Sequence, residues 1–386
     1  MAPSLKAVLW GAVLIVTAPI LGSVLAARKA TSATYARRYD ISPSSISEGE
    51  IELPATEQTL TPGEFGLQLE TGGPPVVIGQ ILSTHHDKVT RRLVWSPESL
   101  SLDSRGRWSG IVAIHPTADS AVDAVVETPI GEAPAWVVNG GASRWALHVH
   151  GHGSDRTQTL RGVETATRMG LSSLVISYRN DGDGPRSGDA RSHLGEAEWL
   201  DLEAALRLVA DFGGTECVIF GWSMGATMAL DTLRRSPWAG MIKGLVLVSP
   251  VLAWEDVLRA NARRQRYPQF LGSLVTLLLA SKGFSQLVGL NTPLDIRNSD
   301  RARIESPLNT PTLILHNRND WSVPFKTSSR FATTHKGMVE LIGFDCTGHT
   351  QEWNSDPVGW DLAVRRWYEN LFPTGRERAT AESQGI

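Results

Sequence analysis

The stretch "CVIFGWSMGATMAL", residues 217–230, runs from an apolar segment into Gly221-Trp222-Ser223-Met224-Gly225 and then into small, helix-forming residues. A strand that turns sharply into a helix crowds the positions two before and two after the turn, and glycine relieves that crowding. The residue at the turn then projects its side chain clear of the sheet edge. The next backbone N–H and the positive end of the new helix point toward the same space, where they favour developing negative charge. A hydroxyl presented there is placed for nucleophilic attack, and Met224 N–H is placed to receive the resulting oxyanion. The competing reading is an ordinary glycine-flanked turn. The apolar run before the serine and the helix former after it argue against that reading.

A serine hydroxyl needs a base, and the base needs an orienting carboxylate. Of the 10 histidines, His349 in "GFDCTGHTQEWN" follows the last expected strand in a glycine-bearing loop. His316 closes a strand, so a packing or structural role is expected for it. His335 lies on a polar helix-like stretch, where a solvated role is expected. Asp320 in "HNRNDWSVP" comes just past the strand "TLILH", leaving room for one helix and one strand before His349. Asp345 is the rival acid, and its place in the histidine's own loop suits loop support. The chain order is then Ser223, Asp320, His349.

A second arrangement competes. His148, His150 and His152 alternate along "WALHVHGHG", so a strand would turn them toward one side. With His193, His316 or Asp155 they could ligate zinc or another divalent ion. That reading leaves the serine elbow unexplained.

The elements that must position these residues begin at about Ala133. Apolar runs of strand length occupy Trp145–His150, Ser173–Tyr178, Glu216–Trp222, Gly244–Pro250, Thr312–His316 and Met338–Gly343. Continuous apolar runs suit a parallel sheet covered on both faces. Helical stretches alternate with them: Trp199, Leu202, Leu206 and Val209 form one stripe ended by Gly213-Gly214, and a closing helix is expected near Val358–Leu371. The expectation is an α/β fold with a mostly parallel central sheet, helices on both faces and an inserted helical cap at about 254–307. Ligands of such open sheets bind at the carboxyl ends of the strands. The catalytic domain is expected over 133–375 and a tail over 376–386. Ahead of it come a β-rich segment at 63–132 and a Ser/Thr/Glu/Pro-rich linker at 30–62.

The quoted segments "HVHGHG", "GWSMG", "HNRND..VP" and "GH", in this order at strand ends, resemble the α/β-hydrolases over about Pro134 to Leu371. The nearest likeness is to the branch of serine-aminopeptidase-like and monoacylglycerol-lipase-like enzymes. Membrane-anchored bacterial hydrolases are a looser match. The resemblance implies Ser223 as nucleophile, His349 as base and Asp320 as orienting acid. It implies the backbone N–H of His152 as the second oxyanion donor beside Met224. Ala226 departs from the second glycine that many relatives carry, a methyl group that is easily absorbed. The implied reaction is hydrolysis of a carboxylic ester through an acyl-enzyme, with no cofactor and no metal. A peptidase, a thioesterase or a non-catalytic binding module on the same fold stay open. Arg179, Asp181 and Asp183 fall in the loop after the second parallel strand, where the alternatives are substrate contact and bracing of the loop by salt bridges, and bracing is expected.

Bulk properties narrow the partners. Net charge is −3, with 41% hydrophobic and 20% charged residues, a globular balance without the basic excess of a nucleic-acid binder. Two cysteines, Cys217 and Cys346, do not imply a disulfide framework. Residues 7–27 carry no charge and are long enough to span a bilayer, with Lys6 before them and Arg28, Lys29, Arg37 and Arg38 after. The segment 1–29 is expected to be a membrane anchor, with a cleaved signal peptide as the alternative and a secreted enzyme as its consequence. The heavier basic flank after it favours a catalytic domain on the cytoplasmic side. The expected partners are a small-molecule or lipid ester and the membrane.

Overall fold

The structure, a computed structural model, describes residues 21–33, 38–116, 121–268 and 270–373. It contains two sheets. The first has six strands in the order β1-β2-β5-β4-β3-β6. These are β1 (Ser45–Ser47), β2 (Glu50–Pro54), β3 (Phe65–Leu69), β4 (Val76–His85), β5 (Lys88–Trp95) and β6 (Gly106–Ser109). Their pairings are antiparallel, and Ile51, Leu53, Phe65, Leu67, Ile78, Val89 and Trp108 form their own core. Arg91 is buried in this core. Its guanidinium donates to the carbonyl oxygens of Thr59, Thr61, Gly63 and Gly79, which satisfies the buried charge's hydrogen-bonding groups.

The second sheet has eight strands in the order β14-β13-β12-β11-β9-β10-β8-β7. β7 (Ala121–Thr128) and β8 (Gly131–Val138) form an antiparallel hairpin at one edge. β9 (Arg144–Val149), β10 (Ser172–Ile176), β11 (Glu216–Trp222), β12 (Ile242–Val248), β13 (Thr312–Asn317) and β14 (Val339–Phe344) run parallel. The inner strands β9 to β13 are almost wholly buried, which is why their sequences read as unbroken apolar runs. Helices cover both faces over two apolar clusters, one centred on Leu202, Leu206 and Ile219, the other on Trp222, Trp360 and Trp367. The expected fold is the observed one. β10 lies on one side of β9 and β11 on the other, so the chain's progression reverses there. Such a reversal is where open α/β sheets form their crevice.

The expected cap is present between β12 and β13 as helices Trp254–Arg264, Phe270–Leu279, Lys282–Val288 and Ile296–Glu305. Two boundaries differ from expectation. The supposed linker at 30–62 contains β1 and β2, whose alternating Ile51 and Leu53 are too short a pattern to stand out among polar neighbours. The hydrolase sheet opens at Ala121, not near 133, because the hairpin β7–β8 joins it and not the N-terminal sheet.

Residues 21–30 are helical, and most of the expected membrane span, residues 7–20, lies outside the described residues, as does the tail at 376–386. Among the described residues no single helix is long and apolar enough to cross a membrane. Phe270–Leu279 and Lys282–Val288 pass that test only together, bent by 104°.

Candidate active site

β11 delivers Ser223 into a strained turn, φ 54° and ψ −112°, immediately before helix Met224–Arg235. Gly221 and Gly225 permit it. A Cβ on Gly225 would lie 2.3 Å from the carbonyl oxygen of Val149, and one on Gly221 would lie 2.8 Å from the nitrogen of Ala226. The helix therefore starts hard against β9. Met224 opens it, and its N–H is one of the donors that a first turn leaves without an intrahelical partner.

The loop after β14 brings His349 to the serine, with Nε2 2.8 Å from Ser223 Oγ. Nδ1 of the same ring lies 2.6 Å from Asp320 Oδ2. The other oxygen of Asp320 accepts from the backbone N–H groups of Ser322 (2.8 Å) and Val323 (2.9 Å), which locks the carboxylate in its own turn. Burial pushes the Asp320 carboxyl up. The charges and hydrogen bonds of His349 and His316 outweigh it and hold the carboxyl well below the usual carboxylate range. Burial pulls His349 down, yet the Asp320 charge and hydrogen bond raise it overall. The arrangement couples the buried Ser223 hydroxyl to an ionised carboxylate through one imidazole.

β9 supplies the facing loop. The N–H of Gly151 donates to Gln158 Oε1 at 2.7 Å and that of Gly153 to Asp181 Oδ2 at 2.9 Å, so the peptide bearing the His152 N–H is fixed from both sides. Gly151 approaches the serine closely, since a Cβ there would lie 2.9 Å from that of Ser223. Asp181 also accepts from Tyr178 Oη at 3.2 Å, and burial pushes its carboxyl up to about 7.

The three alternating histidines do not converge on a metal position. His148 Nε2 lies 3.2 Å from Ser173 Oγ and its ring stacks on Phe220. His150 donates to the carbonyl of Gly151 and stacks on Tyr178. His152 Nε2 donates to the carbonyl of Ser32 at 3.0 Å. His193 pairs with Asp189, and Asp155 caps the short helical turn that follows it. Among the described residues no group of three His, Cys, Asp or Glu side chains is placed to hold a metal ion. Alternation alone misleads here because His150 and His152 lie past the strand's end, where the chain has begun to turn.

The remaining candidates have structural partners. His316 lies 2.8 Å from Ser328 Oγ and 3.4 Å from Asp320. His335, expected at the surface, is buried and donates to the carbonyl of Ile304. Asp345 is exposed and faces Arg318 at 3.5 Å, away from the imidazole. Arg179 clamps buried Asp201, and Asp183 meets Arg156 at 3.1 Å.

Sequence reasoning missed the supports behind the site. Asn317 Nδ2 donates to the carbonyl of Gly348 at 2.8 Å, and buried Arg161 donates to that of Thr350 at 2.8 Å, so both flanks of His349 are held. Ser249 sits behind Asp320 at 2.9 Å in a positive-φ conformation. A serine directly after a buried strand, followed by Pro250, was the available signal.

A family described as "Alpha/beta hydrolase family" matches residues 146–377, and a domain of unknown function (DUF8805) matches 44–109, the N-terminal sheet. No curated protein matches the chain. Among solved structures, an esterase of Pyrococcus furiosus is 20% identical at a TM-score of 0.50, covering 65% of this chain and 92% of its own. A thermophilic carboxylesterase cloned from a metagenomic library is 18% identical at 0.50, covering 67% and 92%. At such identities the likeness speaks for the fold. With the family match spanning more than half of its length and the eight-stranded sheet carrying the site, this chain belongs to the alpha/beta hydrolase family.

Proposed function

We propose that the protein is a serine hydrolase cleaving carboxylic esters, with Ser223 as nucleophile, His349 as general base and acid, and Asp320 as the orienting carboxylate. The observation that carries this reading is the unbroken contact from Ser223 Oγ through both ring nitrogens to Asp320, at 2.8 and 2.6 Å. His349 takes the hydroxyl proton as Oγ attacks the ester carbonyl carbon. The N–H groups of Met224 and His152 receive the oxyanion, and His349 returns the proton to the departing alcohol. Water, deprotonated by the same ring, then releases the acid and frees Ser223. An ester is favoured over an amide because its alkoxide departs more easily.

We further place the enzyme in the serine-aminopeptidase-like and monoacylglycerol-lipase-like branch, tethered through its N-terminal segment with the catalytic domain on the cytoplasmic side. Supporting a lipid-derived substrate, residues 28–32 strap onto the mouth of the site. Arg191 donates to the carbonyl of Arg28 at 2.9 Å, Ser192 N–H to that of Thr31 at 2.9 Å, and His152 to that of Ser32. Exposed Leu21 and Leu25 belong to that segment, and exposed Phe270, Leu277 and Leu287 to the cap.

A fluorophosphonate probe tests the chemistry: it should label the full chain and leave Ser223→Ala unlabelled. Equal labelling of both would overturn the reading. Protease access in intact cells tests the side of the membrane, and hydrolysis of an ester series of rising acyl length tests the substrate class.

A further inference from the structure

Behind Asp320 lies a second carboxyl group that the mechanism above does not use. Glu352 is fully buried at the start of helix Glu352–Ser355. Its Oε1 accepts the backbone N–H of Asn317 at 2.9 Å and lies 2.5 Å from Ser249 Oγ. Its Oε2 is buried without a hydrogen-bond partner. The same Ser249 Oγ lies 2.9 Å from Asp320 Oδ2, and Thr350 N–H approaches it at 3.4 Å as a donor.

Counting hydrogens decides the protonation. Ser249 has one hydroxyl hydrogen and stands between two carboxyl groups. Were both ionised, one of the two close oxygen–oxygen contacts would set lone pairs against lone pairs. Asp320 receives two backbone N–H groups and His349, so it keeps the charge. The missing hydrogen therefore belongs to Glu352.

The surroundings agree. Facing Glu352 are Asp320 and His316 from the end of β13 and its loop, His349 and Cys346 from the loop after β14, and Arg161 from helix Leu160–Arg168. Arg161 spends its N–H groups on the carbonyls of Gln158 and Thr350 and on Asn354. Burial leads in raising the Glu352 carboxyl and the Asp320 charge adds to it, against His316 and the Ser249 hydroxyl, with a net upward result.

We propose that Glu352 is a neutral carboxylic acid and a positioning residue: its O–H donates to Ser249, whose hydroxyl donates to Asp320, so a two-step hydrogen-bond relay holds the triad acid from behind. The proposal rests on the triad reading. No proton moves along the relay in the cycle. It fixes Asp320 and leaves His349 facing one negative charge rather than two.

The test uses the full chain with Glu352→Gln, which exchanges one uncharged group for another but cannot both accept Asn317 N–H and donate to Ser249 from the same atom, and with Ser249→Ala. In the infrared difference spectrum at neutral pH, Glu352→Gln should lose a carboxylic-acid C=O band. The same loss should appear in a Ser223→Ala background. This measurement therefore stands even if probe labelling were to sink the triad. Glu352→Gln breaks the relay, so its kcat should fall, while the acid limb of its kcat/KM profile should not be lowered, because no negative charge is removed. Ser249→Ala should lower kcat roughly tenfold with KM unchanged and move the acid limb upward, because Asp320 loses a donor. Loss of a carboxylate band instead of an acid band overturns the proposal. So does an acid limb lowered by about one pH unit in Glu352→Gln, the sign of a removed charge. An unaltered kcat and pH profile in Ser249→Ala overturns it as well.

Discussion

Asp320 binds the imidazole through one oxygen and its own backbone through the other, so Asp320→Asn should preserve the turn while presenting the wrong group to His349. We expect kcat to fall by about 10⁴-fold with the circular dichroism spectrum unchanged, the size seen when a triad acid becomes an amide. The pH dependence follows from the same pair. His349 must be neutral to accept the serine proton, and its affinity for protons is raised by Asp320. The acid limb of kcat/KM should therefore lie above the ordinary imidazole value near 6.5, and rate should climb as pH rises through it. Asp181 gives a stability signature. Its folded value of about 7 exceeds that of a free carboxyl, so the folded state holds the proton more tightly. The stabilisation is complete below about pH 4 and is lost as pH rises through about 7. Melting temperature should decline across that window in the wild type and decline less in Asp181→Asn. The proposed triad could be picked out because Ser223, Asp320 and His349 each follow a recognisable strand. Ser249, Glu352 and Arg161 could not, because single polar residues in buried positions have no pattern until the fold places them side by side.

The β11–turn–helix element is the least tolerant piece of the site. A methyl on Gly225 meets backbone on β9, which cannot swing aside as a side chain would. Gly225→Ala should cost about 1–3 kcal/mol in urea unfolding and reduce kcat further than that loss explains, since the helix start carrying Met224 must shift. The parallel strands were readable within two residues at most ends, because full burial imposes unbroken apolar runs. The N-terminal strands were harder. β1 and β2 are short, half-exposed and built around Ile46, Ile51 and Leu53, a pattern that polar composition hides.

The two sheets meet at the segment that carries His349. Asn354 Nδ2 donates to the carbonyls of Glu64 and Gly110 at 2.8 and 3.0 Å, its own carbonyl accepts Glu64 N–H at 2.9 Å, and Thr61 meets Thr347. The N-terminal sheet thus braces the loop from Thr347 to Ser355. Asn354→Ala would strand two carbonyls and a guanidinium N–H of Arg161 inside the junction. It should lower unfolding free energy by about 2–4 kcal/mol and reduce kcat, measurable by denaturant titration beside steady-state kinetics. Nothing in either segment's sequence announces this contact, since its partners stand hundreds of residues apart. The carbonyl of Ser32 on the ring of His152 has a practical corollary for anyone preparing this enzyme. Removing residues up to 33 would take away that carbonyl, so the trimmed and untrimmed proteins are to be compared by kcat and KM on the same ester.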